Sequence, residues 1–258
     1  MPALLGIEGI RVHRTGTGPA VVLLHCLGVD HRLWDAPVAR LKDRFTFIRY
    51  DFPGHGESPV APGRYLVDDL SAQLDALLTR EGVEQAHLVG ISLGGLVAQH
   101  FAANAPQSVV RLVLADTTPR YTDDMRRMWA QRAAGARTLG VRSLTEGVLK
   151  IWFTEEMVAA NPPAVQYVKD SFARMAGEGY ALACEALAAA DLRPLASQIV
   201  APTLLICGDE DVPSFLDSAK WLAANIRSAR LEWLKPARHA SVLEQPDAFA
   251  RLLQEFLA

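Results

Sequence analysis

The sequence predicts an α/β protein: a doubly wound, mostly parallel twisted sheet with helices on both faces and a block of helices inserted as a cap. Three observations predict it. Short continuous apolar runs alternate with helical patterns along most of the chain. One run turns into a helix through Gly90-Ile91-Ser92-Leu93-Gly94-Gly95. From about Pro119 to Arg193 the rhythm breaks, and helical patterns follow one another without a convincing strand.

Residues 10–14 are expected to add an antiparallel edge strand before the turn Gly16-Thr17-Gly18-Pro19. The apolar runs are 20–25 (AVVLLH), 45–51 (FTFIRYD), 86–92 (AHLVGIS), 109–116 (VVRLVLAD), 203–208 (TLLICG) and 230–234 (RLEWL). Continuous rather than alternating apolar strands are what a parallel sheet covered on both faces requires. Leu66, Leu70, Leu74, Leu77 and Leu78 form one face of a helix that stops near Gly82. Further helices are expected over 93–103, before Pro106, and over 215–225 and 246–257, around the last strand. Between the fifth and sixth strands the patterns predict helices over 123–137, 143–153, 163–176 and 180–190. An insertion of roughly 75 residues exceeds an ordinary crossover. It reads as a lid over the carboxyl edge of the sheet, where open α/β folds bind ligands. The chain therefore divides into a core, residues 1–118 and 194–258, and a helical cap, residues 119–193.

Composition narrows the function. Of 258 residues half are hydrophobic and 21% charged, and 26 basic against 29 acidic side chains leave a formal charge of −3. That balance excludes a disordered chain and carries no electrostatic footprint for nucleic acid. No apolar run is long enough to span a bilayer, and the first residues lack the basic and apolar regions of a secretory signal. The expectation is a soluble cytoplasmic protein. Three scattered cysteines, Cys26, Cys184 and Cys207, indicate neither a disulfide framework nor a metal site.

The hexapeptide around Ser92 carries the chemistry. A strand that turns sharply into a helix strains its serine, and side chains two residues either side would collide. Gly90 and Gly94 stand at those positions. The competing reading is a phosphate cradle, but that would want G-x-G-x-x-G or a following lysine, and neither is present. A serine alcohol needs a base, and the base an orienting acid. His239 is the one histidine after Ser92 beyond the adjacent helix, and it falls between the last strand and the last helix. His100 lies about two turns along the helix that follows Ser92 and points away. For the acid, Asp211 lies on the loop after the run at 203–208, and Asp116, at the end of the preceding strand, is its rival. Two backbone N–H groups must hold an oxyanion. Leu93, after the nucleophile, supplies one, and Leu27, in the loop after residues 20–25, supplies the other.

Together these features resemble the α/β-hydrolase superfamily over essentially the whole chain. The residues that carry the likeness are the His25 loop with Trp34, the turn Asp51-Phe52-Pro53-Gly54-His55-Gly56-Glu57-Ser58, the Ser92 hexapeptide, Gly208-Asp209-Glu210-Asp211, and His239 followed by Leu243-Glu244-Gln245-Pro246. Within the superfamily the chain looks most like the 3-oxoadipate enol-lactone hydrolases. The resemblance implies an α/β-hydrolase fold around a helical cap, with Ser92 as nucleophile, His239 as base, Asp211 as acid, and Leu27 and Leu93 as oxyanion donors. It also implies a role in the catabolism of aromatic compounds. Two departures stand out: Cys26 replaces the glycine that usually follows the histidine of the first loop, and Pro53 replaces the arginine of the usual turn. A serine at the elbow argues against haloalkane dehalogenases and epoxide hydrolases, which use aspartate there.

The expected activity is serine hydrolysis of an ester-type bond in a small lactone, through an acyl-enzyme, with no metal or organic cofactor. The expected partner is a small-molecule ester or lactone, with neither nucleic acid nor membrane. A general carboxylesterase, and a non-catalytic ligand-binding protein on the same fold, remain alternatives. Trp129 and Trp152 are candidate pocket walls, although aromatics at helical spacing also form cores. A carboxylate-bearing lactone would want a cation in the pocket. Arg126, Arg127, Arg132 and Arg137 crowd one helix of the cap, and a solvated basic face accounts for them equally well.

Overall fold

The computed structural model describes residues 5–258. Part of the N-terminal stretch judged not to be a secretory signal lies outside them. Seven strands form one sheet: β1 (Val12–Gly16), β2 (Ala20–Leu24), β3 (Thr46–Tyr50), β4 (Ala86–Ile91), β5 (Val109–Ala115), β6 (Thr203–Gly208) and β7 (Ala229–Leu234). Their order is β1-β3-β2-β4-β5-β6-β7. Only β1 runs antiparallel, against β3, and the other neighbours are parallel. Every residue of β3, β4 and β6 is buried, the mark of strands covered on both faces. The helices are α1 (Asp35–Leu41), α2 (Val67–Arg80), α3 (Leu93–Asn104), α4 (Asp123–Leu139), α5 (Thr145–Trp152), α6 (Glu155–Ala160), α7 (Pro163–Arg174), α8 (Gly177–Ala189), α9 (Pro213–Asn225), α10 (Ser241–Glu244) and α11 (Pro246–Leu257).

The expected strands are present, and four of them stop one residue early. His25, Asp51, Ser92 and Asp116 each lie just past a strand's end rather than in it. The difference matters because parallel register brings these ends to one edge. Ile91 pairs with Ala115, Ala115 with Ile206, and Gly208 with Leu234. The edge strand starts at Val12 rather than residue 10, and Ile10 packs into the core instead.

The helical segment between β5 and β6 contains α4 to α8. Its only strand-like pairing among the described residues is an isolated bridge, Arg120 to Asp191, which draws its two ends together. The predicted helix over 143–153 is a 3-10 turn (Val141–Leu144) followed by α5, the one over 163–176 ends at Arg174, and the last starts at Gly177 rather than residue 180. Three short helices carried no periodic signal: α1, with Pro37 inside it, α6, which buries no residue, and the single turn α10. No helix among the described residues is long and apolar enough to cross a membrane.

The helical segment seats on the core through backbone contact. Gly54, at φ +76, faces Gly179 of α8, and a β-carbon on Gly54 would lie 2.5 Å from the Gly179 Cα. Gly54→Ala is expected to destabilise the protein by about 1–3 kcal/mol through overpacking and positive φ. Gly147, inside α5 with open space around its Cα, is the contrast: Gly147→Ala should stabilise by about 0.5–1 kcal/mol. Urea denaturation of both variants checks the pair.

Candidate active site

Ser92 sits between β4 and α3 with φ 52 and ψ −112, a strained conformation for a non-glycine residue. The backbone around it leaves no room for side chains. A β-carbon on Gly90 would lie 2.3 Å from the Gly94 carbonyl oxygen, and one on Gly94 would lie 2.2 Å from that of Leu24. Gly95 likewise has Thr117 against it, and the Thr117 hydroxyl donates to the Ser92 carbonyl at 2.8 Å. The Ser92 N–H donates to Ala115 at 3.0 Å, which anchors the turn to β5.

Ser92, His239 and Asp211 are brought together in one line. The Ser92 hydroxyl lies 3.1 Å from His239 Nε2, and His239 Nδ1 lies 2.8 Å from an Asp211 carboxylate oxygen. A carboxylate accepts, so Nδ1 carries the proton and Nε2 is free to accept from Ser92. The other Asp211 oxygen accepts from the Val212 N–H at 2.7 Å. The loops bearing His239 and Asp211 approach closely because Gly208 has no side chain: a β-carbon there would lie 2.3 Å from the Arg238 carbonyl oxygen. Burial disfavours the imidazolium, but the charge and hydrogen bond of Asp211 outweigh it, and the His239 pKa rises above its ordinary value.

Asp116 is not within reach of the His239 ring as a hydrogen-bond partner. It turns the chain at φ 42 and joins three segments. One carboxylate oxygen accepts from the Gly208 N–H at 3.0 Å; the other accepts from the Ser241 N–H at 3.1 Å and its hydroxyl at 2.6 Å. Burial, then the negative charge of Asp211, pushes Asp116 up to about 7. A proton on Asp116 relieves the repulsion between the two carboxylates.

Leu93 directly follows Ser92, and Leu27 lies on the loop after β2, the strand beside β4. Leu93 is the first residue of α3, where an N–H has no acceptor inside the helix. The Leu27 N–H finds no acceptor among the described residues either. Gly28, at φ +86, packs that loop against Phe172 of α7. His25 is structural: its Nδ1 donates to the Cys26 carbonyl at 2.8 Å, and its Nε2 accepts the Phe52 N–H at 2.9 Å. Burial holds the Cys26 thiol protonated, so it is no second nucleophile. His100 sits 3.4 Å from Asp68, away from the site.

Trp152 packs beside His239, whereas Trp129 reaches it only through Tyr121 and Phe215; four aromatics the sequence did not single out complete this chain of rings. Trp152 lies 6.3 Å from the His239 ring and 6.0 Å from Phe172, and Phe172 lies 5.9 Å from Tyr180. On the other side Phe215 lies 4.3 Å from His239, Tyr121 6.1 Å from Phe215, and Trp129 5.4 Å from Tyr121. These residues come from five elements, so no sequence period could have grouped them. Two carboxylate clusters, Asp30 with His31 and Asp51, and Asp116 with Cys207 and Asp211, bring metal-ligating atoms together. Their oxygens already accept from N–H and O–H donors, which leaves a cation little to coordinate.

The model of the alpha/beta hydrolase family matches residues 21–252, nearly the whole described chain. The chain belongs to the alpha/beta hydrolase family. Among similar members is a 3-oxoadipate enol-lactonase of Acinetobacter baylyi, 33% identical over 90% of this chain and 85% of the relative. A pimeloyl-[acyl-carrier protein] methyl ester esterase of Chromobacterium violaceum is 33% identical over 95% of this chain and 97% of its own. The crystal structure of the enol-lactonase from Burkholderia xenovorans superposes with a TM-score of 0.92 at 34% identity, covering 96% of each chain.

In this hydrolase-family site the shifted titration of His239 has a direct test. The imidazole is expected to titrate above 6.5 in the wild type, because Asp211 favours the cation. In Asp211→Asn the charge is gone and burial remains, so the pKa should fall. Ring-proton NMR against pH measures both, and an unchanged His239 titration would contradict the arrangement.

Proposed function

We propose that the protein is a serine hydrolase that cleaves the ester-type bond of a small lactone, an enol-lactone such as that of 3-oxoadipate, through an acyl-enzyme. The observation that carries the reading is the unbroken hydrogen-bonded line from Ser92 through His239 to Asp211. The likeness to enol-lactonases in sequence and in structure favours the lactone as substrate.

The reaction follows from the geometry. His239 Nε2 takes the Ser92 proton as the oxygen attacks the carbonyl. The Leu27 and Leu93 N–H groups hold the oxyanion, and Asp211 fixes the ring and stabilises its cation. The tetrahedral intermediate collapses as the ring oxygen leaves and takes the proton from His239. In an enol-lactone that oxygen leaves as an enol, which becomes a ketone, while the opened chain stays attached to Ser92. His239 then takes a proton from water, which releases the acid and restores the serine. Residues 119–193 act as the cap: Trp152 and Phe172 shield the reacting atoms from solvent.

A second reading, a general carboxylesterase, is favoured by the similarity to methyl ester esterases. Enol-lactones, saturated lactones and aryl esters, offered as a panel, separate the two. The expected result is the highest kcat/KM on an enol-lactone; a preference for simple aryl esters sinks the lactonase reading. Ser92→Ala should lose essentially all turnover, and a variant as active as the wild type sinks the mechanism; a wild type that binds these compounds and leaves them intact is a ligand-binding protein instead. Asp211→Asn should cost about 10⁴-fold in kcat. Asp116→Asn, which touches neither His239 nor Ser92, should cost less than Asp211→Asn, and the reverse order would make Asp116 the acid. Because His239 must be neutral to act as base, kcat/KM should fall on the acid side with a limb above pH 6.5.

A further inference from the structure

The reacting atoms are closed off. Ser92 and His239 are each only 6% exposed, so a substrate must displace part of the wall to reach them. Two cavities lie against that wall, and they differ in how they are closed. The larger, of about 510 Å³, lies between the loops after β2 and β3 and the end of α7, with Gly28, Asp30, Gly54, Val60 and Ser171 in its lining. Its inner side is bolted. A β-carbon on Gly28 would lie 2.7 Å from the Phe172 ring, and Gly54 abuts Gly179. The Asp30 N–H donates to the Tyr167 hydroxyl at 3.1 Å, and that hydroxyl lies 3.0 Å from an Asp30 carboxylate oxygen. Opening there would break backbone packing and a satisfied polar network together.

The smaller, of about 300 Å³, lies where the chain enters the helical segment, between residues 118–125 and α9. That volume is at the lower end of small-molecule sites. Its rim is exposed at Thr122, Arg193 and Asp217, and Tyr121 and Phe215 are buried at its floor. The floor is one ring thick. Phe215 has the cavity on one side and the His239 ring, 4.3 Å away between centroids, on the other. Phe215 meets Tyr121 edge-on at 6.1 Å, and the buried Tyr121 hydroxyl has no hydrogen-bond partner among the described residues. An aromatic edge contact is worth about 0.5–1.5 kcal/mol, so this seam parts more cheaply than the bolted side. The arginines at the edge are spent, Arg120 on Asp123 and Arg193 on Asp191, each at 2.6 Å. The passage therefore sorts by width.

We propose that this smaller cavity is the mouth of the active site and that the seam between Tyr121 and Phe215 is its gate, so that these two rings set the width of the ester or lactone that reaches Ser92. This rests on the hydrolase reading for what passes, but its test needs no turnover. Phe215 turns on its own side-chain bonds, so the gate opens while Asp211 and His239 stay in place.

Alkylation measures the passage directly. Ser92→Cys puts a thiol at the reacting position; the three native cysteines are buried, and mass analysis of the peptide carrying residue 92 reads that site alone. Iodoacetamide serves as the narrow reagent and N-phenylmaleimide as the wide one. Adding Ser218→Trp, which fills the mouth, should slow both reagents at least about 10-fold and leave the pH midpoint of alkylation where it was. Adding Phe215→Ala instead should speed N-phenylmaleimide at least about 10-fold relative to iodoacetamide, a ratio that a change in thiol ionisation would not move. Val60→Trp, at the larger cavity, should change neither rate by more than about twofold. Rates within about twofold of the Ser92→Cys parent after Ser218→Trp overturn the proposal. So does a greater slowing by Val60→Trp, an unchanged reagent ratio in Phe215→Ala, or a parent that labels only once denatured. If the wild type hydrolyses no ester or lactone, the hydrolase reading fails, and the alkylation rates alone decide the route. If Ser218→Trp does not fold, as judged by its thermal melt, Ser214→Trp on the same wall takes its place.

Discussion

The strained turn at Ser92 is the constraint on which the rest of the structure depends. A serine at φ 52 costs on the order of 1–3 kcal/mol, and it persists only because its surroundings leave the backbone no alternative. Leu24 of β2 crowds the turn on one side, and Ala115 at the end of β5 with Thr117 just past it hold it on the other. The sheet order follows the same need: β4, which delivers the serine, lies between β2, whose loop faces it, and β5, which pins its amide. The cost in backbone conformation yields a hydroxyl projected above the sheet edge at the start of α3.

Two buried carboxylates share that edge, and they divide the electrostatic work. Asp211 faces the imidazole, and its two oxygens are taken by His239 and the Val212 N–H. Asp116, pushed up to about 7, stands behind as a joint among the ends of β5 and β6 and the start of α10. Burial and the neighbouring Asp211 raise Asp116 against the pull of its N–H and O–H donors, which favour the carboxylate.

Much of this was legible in the sequence, for particular reasons. The strands declared themselves because a doubly covered parallel strand is apolar at every position, as β4 and β6 are. Ser92 was legible because its glycines answer a steric demand, and His239 because few histidines compete. The sequence favours Asp211 over its rival Asp116 because it lies on a loop past the strand end, but both follow apolar strands, and which loop each meets in space was not legible. The pocket was largely illegible. Tyr121, Phe172, Tyr180 and Phe215 are ordinary core aromatics to any one-dimensional reading, and they converge only when five elements pack. Arg126, Arg127 and Arg137 of α4 are engaged within the protein, and Glu178 and Glu185, which occupy Arg137, lie far along the chain. Short helices such as α6, with no buried face, left no periodic trace.

The contacts between the histidine loop and the helical segment carry a mechanical consequence. The Ala240 N–H donates to the Trp152 carbonyl at 3.0 Å, Glu244 accepts from the Thr154 N–H at 2.7 Å, and Arg238 donates to the carbonyls of Lys150 and Phe153. Four bonds thus clamp residues 150–154 to the segment that holds His239. That end of the helical block is part of the frame, and it cannot swing without dragging the imidazole off the serine. Any passage that opens for a ligand must pivot about this fixed corner, with the travel taken up by helices remote from it.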